Sequence, residues 1–399
     1  MITNPTGIDQ NYQSTIDVLH NEVNLIALFS PEHGVRGNVQ AGAKLDTYQD
    51  EKTGCTVFSL YGATKSPTPE MLDMIDVMCI DIQDAGSRFY TYIYTMAYAM
   101  MACAKENKKF VVFDRPNPVN ASDYEGNILD ITYRSFVGYY PILQRHGMTI
   151  GELAKMFNEE FEINCDLTVI EMKDYKRTDY FDETGCKWVA PSPNLPTVTS
   201  AIVYNATCIF EGTNIAEGRG TTQPFEIVGA PFINPDDLAS NLNSLNLPGV
   251  VFRPMYFTPT FSKYEKQMCG GVQVHIENRN EFKPVKTGWA MLTIIRNMYP
   301  NDFQVNKPYV EGRPGMLEFN TGCGYIKENL YSLDELFEIL EKETKEFAST
   351  RSKYLLYWEE KIRWIYLLKK CQKWHWKKKL ANLWSLDFMV MNIMKILIN

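Results

Sequence analysis

The residues best able to do chemistry fall in four short segments. Ser30-Pro31-Glu32-His33-Gly34-Val35-Arg36-Gly37 places a carboxylate, an imidazole and a guanidinium within five residues. A carboxylic acid among apolar walls can keep its proton and deliver it to a leaving oxygen, while His33 or Arg36 orients it or a substrate anion. The structural alternative is a solvated loop in which Glu32 pairs with Arg36. The segment from Gln83 to Tyr92 brings Asp84 and Arg88 together with Phe89, Tyr90 and Tyr92. Aromatic faces beside charged groups suit a sugar ring, although at least one of these three rings reads as core. Asp114-Arg115-Pro116-Asn117-Pro118 offers a third charged pair, equally suited to fixing its own loop. Glu211-Gly212-Thr213-Asn214 and Glu217-Gly218-Arg219-Gly220-Thr221-Thr222 add two carboxylates and an arginine on glycine-rich backbone.

Several chemistries are excluded by what these segments lack. The glycine-rich stretch has no GxxxxGK[ST] order and no GxGxxG follows an early strand, which removes a nucleotide site. Without a GxSxG elbow there is no serine nucleophile of the α/β-hydrolase kind. The five histidines form no HxxxH or HExxH pattern, and neither a metal nor a cofactor is expected. Nine cysteines without a CxxC read as reduced thiols. A formal charge of −8 argues against a phosphate backbone as partner.

These segments need a frame that brings them together. Apolar runs of strand length occur over 23–29, 77–82 and 110–113, with a helical pattern over 92–105. Strands alternating with helices imply a doubly wound, mostly parallel sheet, and ligands in such sheets bind beyond the carboxyl ends of the strands. The loops carrying Glu32, Asp84 and Asp114 each follow a strand and should share one rim. Thr149-x-x-Glu152 marks a helix start, and Pro191 to Thr197, which holds Asn194, is a stiff proline loop. Beyond Gly229, helical patterns over 236–245 and 285–298 with strands over 250–253 and 271–276 suggest a second α/β unit. The resulting division is an α/β domain over 1–225, a smaller α/β domain over 226–357, and a tail over 358–399. That tail holds nine Lys or Arg against three Asp or Glu, and five of the seven tryptophans.

The ordered motifs TNPTG, SPEHGVRG, SLYG, DIQDAGSRFYTYIYTM, DRPNP, RHGMTIGELA, PSPNLPT, EGTNIAEGRGT and KYLLY resemble the exo-acting β-N-acetylmuramidases of the NamZ type over nearly all of residues 3–357. The resemblance implies a Rossmann-like, mostly parallel sheet domain joined to a smaller C-terminal α/β domain. It also implies release of terminal N-acetylmuramic acid (MurNAc) from peptidoglycan fragments, with no nucleotide or metal. The family's proposed catalytic glutamate falls on Glu32; Asp84 and then Glu217 are the candidates for a second carboxylate. The lactyl carboxylate of MurNAc calls for a cation, for which Arg36, Arg88 and Arg219 are candidates. His33, Tyr90, Asp114, Arg115, Asn194, Glu211 and Asn214 complete the expected substrate-binding set. A muropeptide-binding protein without catalysis and a peptidoglycan amidase are the alternatives.

Three features depart from the family pattern, the smallest being Ser30, which stands where glycine is more usual. Only Met1 and Ile2 precede TNPTG, so a first strand and an export signal are expected to be missing and localisation stays open; as written the chain shows no signal peptide. The basic, Trp-rich tail is foreign to the family and reads as a translated extension, the alternative being a helix on an anionic membrane surface. Deleting residues 358–399 is therefore expected to leave the thermal midpoint and the activity of the remaining chain unchanged. A large drop in the midpoint on truncation would show that the tail tryptophans belong to the core.

Overall fold

The computed structural model describes residues 1–357 except His33, residues 38–46 and Ala63. The tail and its membrane alternative lie outside the described residues. Met1–Leu356 form one compact unit. Its strands are β1 (Ile2–Thr3), β2 (Ala27–Ser30), β3 (Tyr48–Gln49), β4 (Thr56–Ser59), β5 (Val77–Asp81), β6 (Lys109–Phe113), β7 (Glu125–Ile128), β8 (Leu143–Arg145), β9 (Asp166–Ile170), β10 (Ile227–Ala230), β11 (Val250–Phe257) and β12 (Cys269–Ile276). The helices are α1 (Thr15–Glu22), α2 (Pro69–Asp73), α3 (Tyr92–Lys105), α4 (Ile150–Glu160), α5 (Val198–Thr207), α6 (Pro235–Ser244), α7 (Pro284–Met298), α8 (Met316–Thr321), α9 (Tyr325–Glu328) and α10 (Leu333–Arg351).

Seven strands make one sheet in the order β3-β4-β2-β1-β5-β6-β9, parallel throughout except for the antiparallel edge strand β3. The apolar runs at β2, β5 and β6 lie where the sequence implies, because a parallel sheet covered by helices buries both faces of its strands. Helix α3 is buried along most of its length, from Tyr92 to Cys103, and packs into the same core as Phe29, Ile80 and Phe110. Helix α4 starts on the expected capping box, with the Thr149 side chain and Glu152 each satisfying the other's backbone N–H. A second sheet, β10-β12-β11, is antiparallel and has its own core around Trp289, Phe252 and Val272.

Helix α5 follows the proline loop and contributes Ala201, Ile202, Val203 and Ala206 to that second core. It crosses α7 so closely that a Cβ on Gly288 would lie 2.0 Å from the Ala206 carbonyl oxygen. In an open helix, alanine in place of glycine would gain about 1 kcal/mol. Here the two helix backbones would have to separate, and overpacking of that kind costs about 1–3 kcal/mol. Gly288→Ala is expected to lower stability in urea unfolding; a gain would mean that the crossing has slack.

Candidate active site

Four neighbouring parallel strands finish on one edge of the large sheet, and each hands over to a polar segment. Asn4 follows β1, Glu32 follows β2, Tyr61 follows β4 and Asp84 follows β5. Between β2 and β4 the register pairs Ser30 with Ser59, and Leu60 N donates to the Ser30 carbonyl at 2.8 Å. Glu32 and Tyr61 thus each stand two residues beyond a matched pair, on adjacent strands. Glu32 is half-buried. The Tyr61 phenol is pushed up to about 12, first by burial and then by the charge and hydrogen-bonding pull of Glu32.

Tyr92 opens α3 beside this pair. Burial is the main cause that raises its hydroxyl, with the Glu32 charge adding to it, and it donates to the Pro191 carbonyl at 2.7 Å. That bond ties the proline loop, with half-buried Asn194, to the strand ends. From Tyr92 a run of edge-to-face rings leads away. Tyr90 lies 4.9 Å from Tyr92, Tyr204 6.0 Å from Tyr90, and Phe225 4.7 Å from Tyr204. The Arg219 guanidinium caps the run 5.1 Å above Phe225. The rings connect the strand-end rim to the glycine-rich segment that carries Arg219.

Asp84 is buried. Its Oδ2 accepts the Gly86 N–H at 2.8 Å and faces His146 Nε2 at 3.3 Å, while its Oδ1 is buried without a hydrogen-bond partner. His146 Nδ1 accepts the Met148 N–H at 3.2 Å, so Nε2 carries the ring proton; Nε2 is near Asp84 but makes no hydrogen bond. Gly86 has φ of +74°, and a Cβ there would lie 2.5 Å from Asn117 Oδ1, so this turn admits little else.

Most of the other expected site residues are committed to the scaffold. Arg36 is held by Asp50 through two bonds of 2.8 and 2.9 Å and by Asp17 at 2.9 Å; its partner is not Glu32. Arg88 is fully buried and donates to the carbonyls of Asn127, Ile142 and Thr321. Asp114 receives Thr149 Oγ1 and the Gly151 N–H, both at 2.7 Å, and so anchors the start of α4. Arg115 pairs with Asp81 at 2.8 Å, and Asn214 holds the backbone at Asp302 and Gln304. Glu211 pairs with Arg219. Glu217 is buried between Arg219 at 3.3 Å and Lys263 at 2.9 Å. His33 lies outside the described residues. Tyr61, Asn4, Tyr204 and Lys263 were not singled out from sequence. For Tyr61 a signal existed, since SLYG directly follows a strand that neighbours the Glu32 strand. A cavity of about 480 Å³ lined by Glu226, His275 and Arg279 includes none of the strand-end residues.

Glu32 is thus a half-buried carboxyl at a strand end of an α/β fold, next to Tyr61 and with the buried rings of Tyr92 and Tyr90 behind it. Residues 1–199 match the family model for the N-terminal part of exo-β-N-acetylmuramidase NamZ, and residues 202–357 match its C-terminal part. The chain belongs to this family. It is 51% identical over 362 residues to the peptidoglycan β-N-acetylmuramidase NamZ of Bacillus subtilis, covering 90% of this chain and 86% of that protein. Two crystal structures of DUF1343 family proteins from Bacteroides fragilis resemble it, with TM-scores of 0.83 and 0.68 and identities of 40% and 32%. Each covers 90% of this chain and 93% of its own.

The Glu217–Lys263 pair closes the glycine-rich segment onto the β11–β12 connection, where Lys263 Nζ also donates to Phe210 O and Ile215 O. Removing one partner of a buried pair leaves the other uncompensated, at a cost of about 3 kcal/mol. Glu217→Gln is therefore expected to destabilise the fold by that order in urea unfolding. An unchanged midpoint with lost turnover would instead return Glu217 to the chemistry.

Proposed function

We propose that the chain is an exo-β-N-acetylmuramidase that releases terminal MurNAc from peptidoglycan fragments, with Glu32 as its general acid. The observation that carries this reading is Glu32 itself. It is a half-buried carboxyl at a strand end, beside Tyr61 and Tyr92, in a chain whose family membership spans residues 1–357. MurNAc-containing disaccharides and muropeptides are the substrates. Glycosidic cleavage passes through an oxocarbenium-like transition state, so an acid at the leaving oxygen and a second polar group at the sugar are both required. Asp84 fits the second role better than Glu217. Glu217 is held by two cations, whereas Asp84 has one oxygen fixed by the Gly86 N–H, with His146 3.3 Å away, and the other without a partner.

Among the three arginines considered for the lactyl carboxylate, Arg219 is the best placed. Arg88 has no exposure, and Arg36 and Arg219 are alike in being paired with two carboxylates and partly exposed; Arg219 differs in standing at the end of the aromatic run that starts beside Glu32. In this reading residues 1–225 supply the acid and the rings, and residues 226–357 brace the Arg219 segment through Lys263.

Glu32→Gln keeps the side-chain shape but removes the transferable proton. Turnover of MurNAc-GlcNAc is expected to fall by about 10²–10⁴, with KM little changed. An aryl MurNAc glycoside, whose leaving group needs little protonation, should lose much less. Hydrolysis of the disaccharide at the parent rate would remove Glu32 from the mechanism.

A further inference from the structure

We infer that the cavity beside the start of α5 is a second carbohydrate site, one that takes an uncharged N-acetylhexosamine such as the GlcNAc unit of the substrate and refuses MurNAc. The choice of sugar rests on the function proposed above. The cavity holds about 480 Å³, within the roughly 300–1,000 Å³ of small-molecule sites. Its walls are the first turn of α5 at Val198 and Thr199, Glu226 just before β10, and Gln273, His275 and Arg279 at the end of β12 and beyond. Asn4, Glu32, Tyr61 and Asp84 are not among its lining residues.

These walls carry polar groups that the fold itself leaves unused. Gln273 is only 7% exposed, and its Oε1 accepts both Arg253 Nε at 3.2 Å and Arg253 Nη2 at 2.7 Å. Its Nε2 therefore keeps two hydrogens for which no described residue is the acceptor. His275 Nε2 is buried without a partner. Glu226 is half-buried and accepts one long bond, from Thr197 Oγ1 at 3.4 Å; burial pushes its carboxyl up from the ordinary range. Buried polar groups are normally hydrogen-bonded, so an amide donor, an imidazole and a carboxylate around one cavity call for a ligand that both donates and accepts. The buried side chains of Ile202 and Val274 add an apolar patch suited to an acetamido methyl.

Charge decides which sugar fits. The guanidinium of the cavity, Arg279, is already matched: Nη1 donates to both Asp182 oxygens at 2.8 and 2.9 Å, and Nη2 meets Glu183 at 2.6 Å. Glu226 and Glu277 line the same space with no cation paired to them among the described residues. An anionic ligand would meet negative charge and no free cation, which excludes the lactyl carboxylate of MurNAc and phosphate esters alike. An ammonium group would leave the Gln273 donor and the apolar patch without a counterpart. The hydroxyls and amide of GlcNAc answer both. The proline loop joins this cavity to the strand ends, since Pro191 O accepts from Tyr92 at 2.7 Å while Thr197, at the other end, caps α5 by accepting from Ser200 N at 3.0 Å.

The test is sugar binding by the full chain, measured by isothermal titration with GlcNAc, glucosamine and MurNAc for the parent, Gln273→Glu and Thr199→Phe. Gln273→Glu keeps an acceptor for Arg253 but removes the amide donor, and Thr199→Phe fills the cavity from an exposed position on α5. Two variants, one in a strand and one on the surface, separate an altered cavity from a damaged fold, and thermal unfolding checks each. The parent is expected to bind GlcNAc with a dissociation constant on the order of 1 mM, and both variants to weaken it by about tenfold. MurNAc binding, which belongs to the strand-end rim, should be the same in all three proteins. No GlcNAc binding by the parent, or equal affinity in all three, would overturn the inference. So would MurNAc binding that both variants abolish, or glucosamine held more tightly than GlcNAc, which would make this a cation site. Turnover of MurNAc-GlcNAc by the parent reports on the proposed function separately. An inactive parent whose GlcNAc binding depends on Gln273 keeps the cavity site and loses the enzyme assignment; an active parent whose GlcNAc binding ignores both variants does the reverse.

Discussion

A parallel sheet imposes one constraint from which the site follows: every strand must end on the same edge, because each crossover returns the chain to the opposite one. Here β2, β1 and β5 are held together at their centre, with Ile2 paired to both Phe29 and Ile80, all three buried. Once those pairings form, Asn4, Glu32 and Asp84 have no other edge to occupy. Tyr61 joins them because β4 pairs with β2 in register. The apolar core beneath the rim, with α3 packed across it, prevents the strands from slipping, since a one-residue slip would turn every buried side chain to the wrong face. The precision of the polar edge is therefore supplied by residues that do no chemistry.

The charged residues divide along the same line. A guanidinium removed from water must be matched by carboxylates or carbonyls, or it costs more than the fold can bear. Arg36 with Asp50 and Asp17, Arg115 with Asp81, Arg177 with Glu152, and Arg219 with Glu211 and Glu217 all meet that demand locally. Arg88 meets it with carbonyls alone, and by reaching Thr321 it pins the start of the chain to its far end. Against this background Glu32 stands out, for among the described residues no ion pair neutralises it. Asp84 is similar in part: its one charged-type partner is a histidine whose other nitrogen accepts a backbone bond.

This division explains what could be read from the chain and what could not. The α3 helix, the β5 and β6 strands and the α4 capping box were legible because periodicity and capping are local. The place of Glu32 at a strand end was legible because PEHG directly follows an apolar run of strand length. The commitments of Arg36, Arg88 and Asp114 were not, since their partners lie 14 or more residues away and a charge in a loop looks the same whether it will be paired or free. Tyr61 was overlooked for a related reason. A tyrosine in SLYG carries no charge to draw notice, and its importance comes from strand order and register, which are tertiary properties.

Neutral surroundings for the acid also suit the substrate. MurNAc brings its own carboxylate on the lactyl ether, and a second ionised carboxyl against Glu32 would repel it across a poorly screened gap. Tyrosines solve this differently. Raised by burial, Tyr61, Tyr90 and Tyr92 keep their protons at working pH and add no charge on this side of Glu32, Tyr90 and Tyr92 from within the core. At the far end of the aromatic run Arg219 stands over Phe225, where Glu211 and Glu217 meet its charge locally, so that rings rather than a cation back the Glu32 strand end.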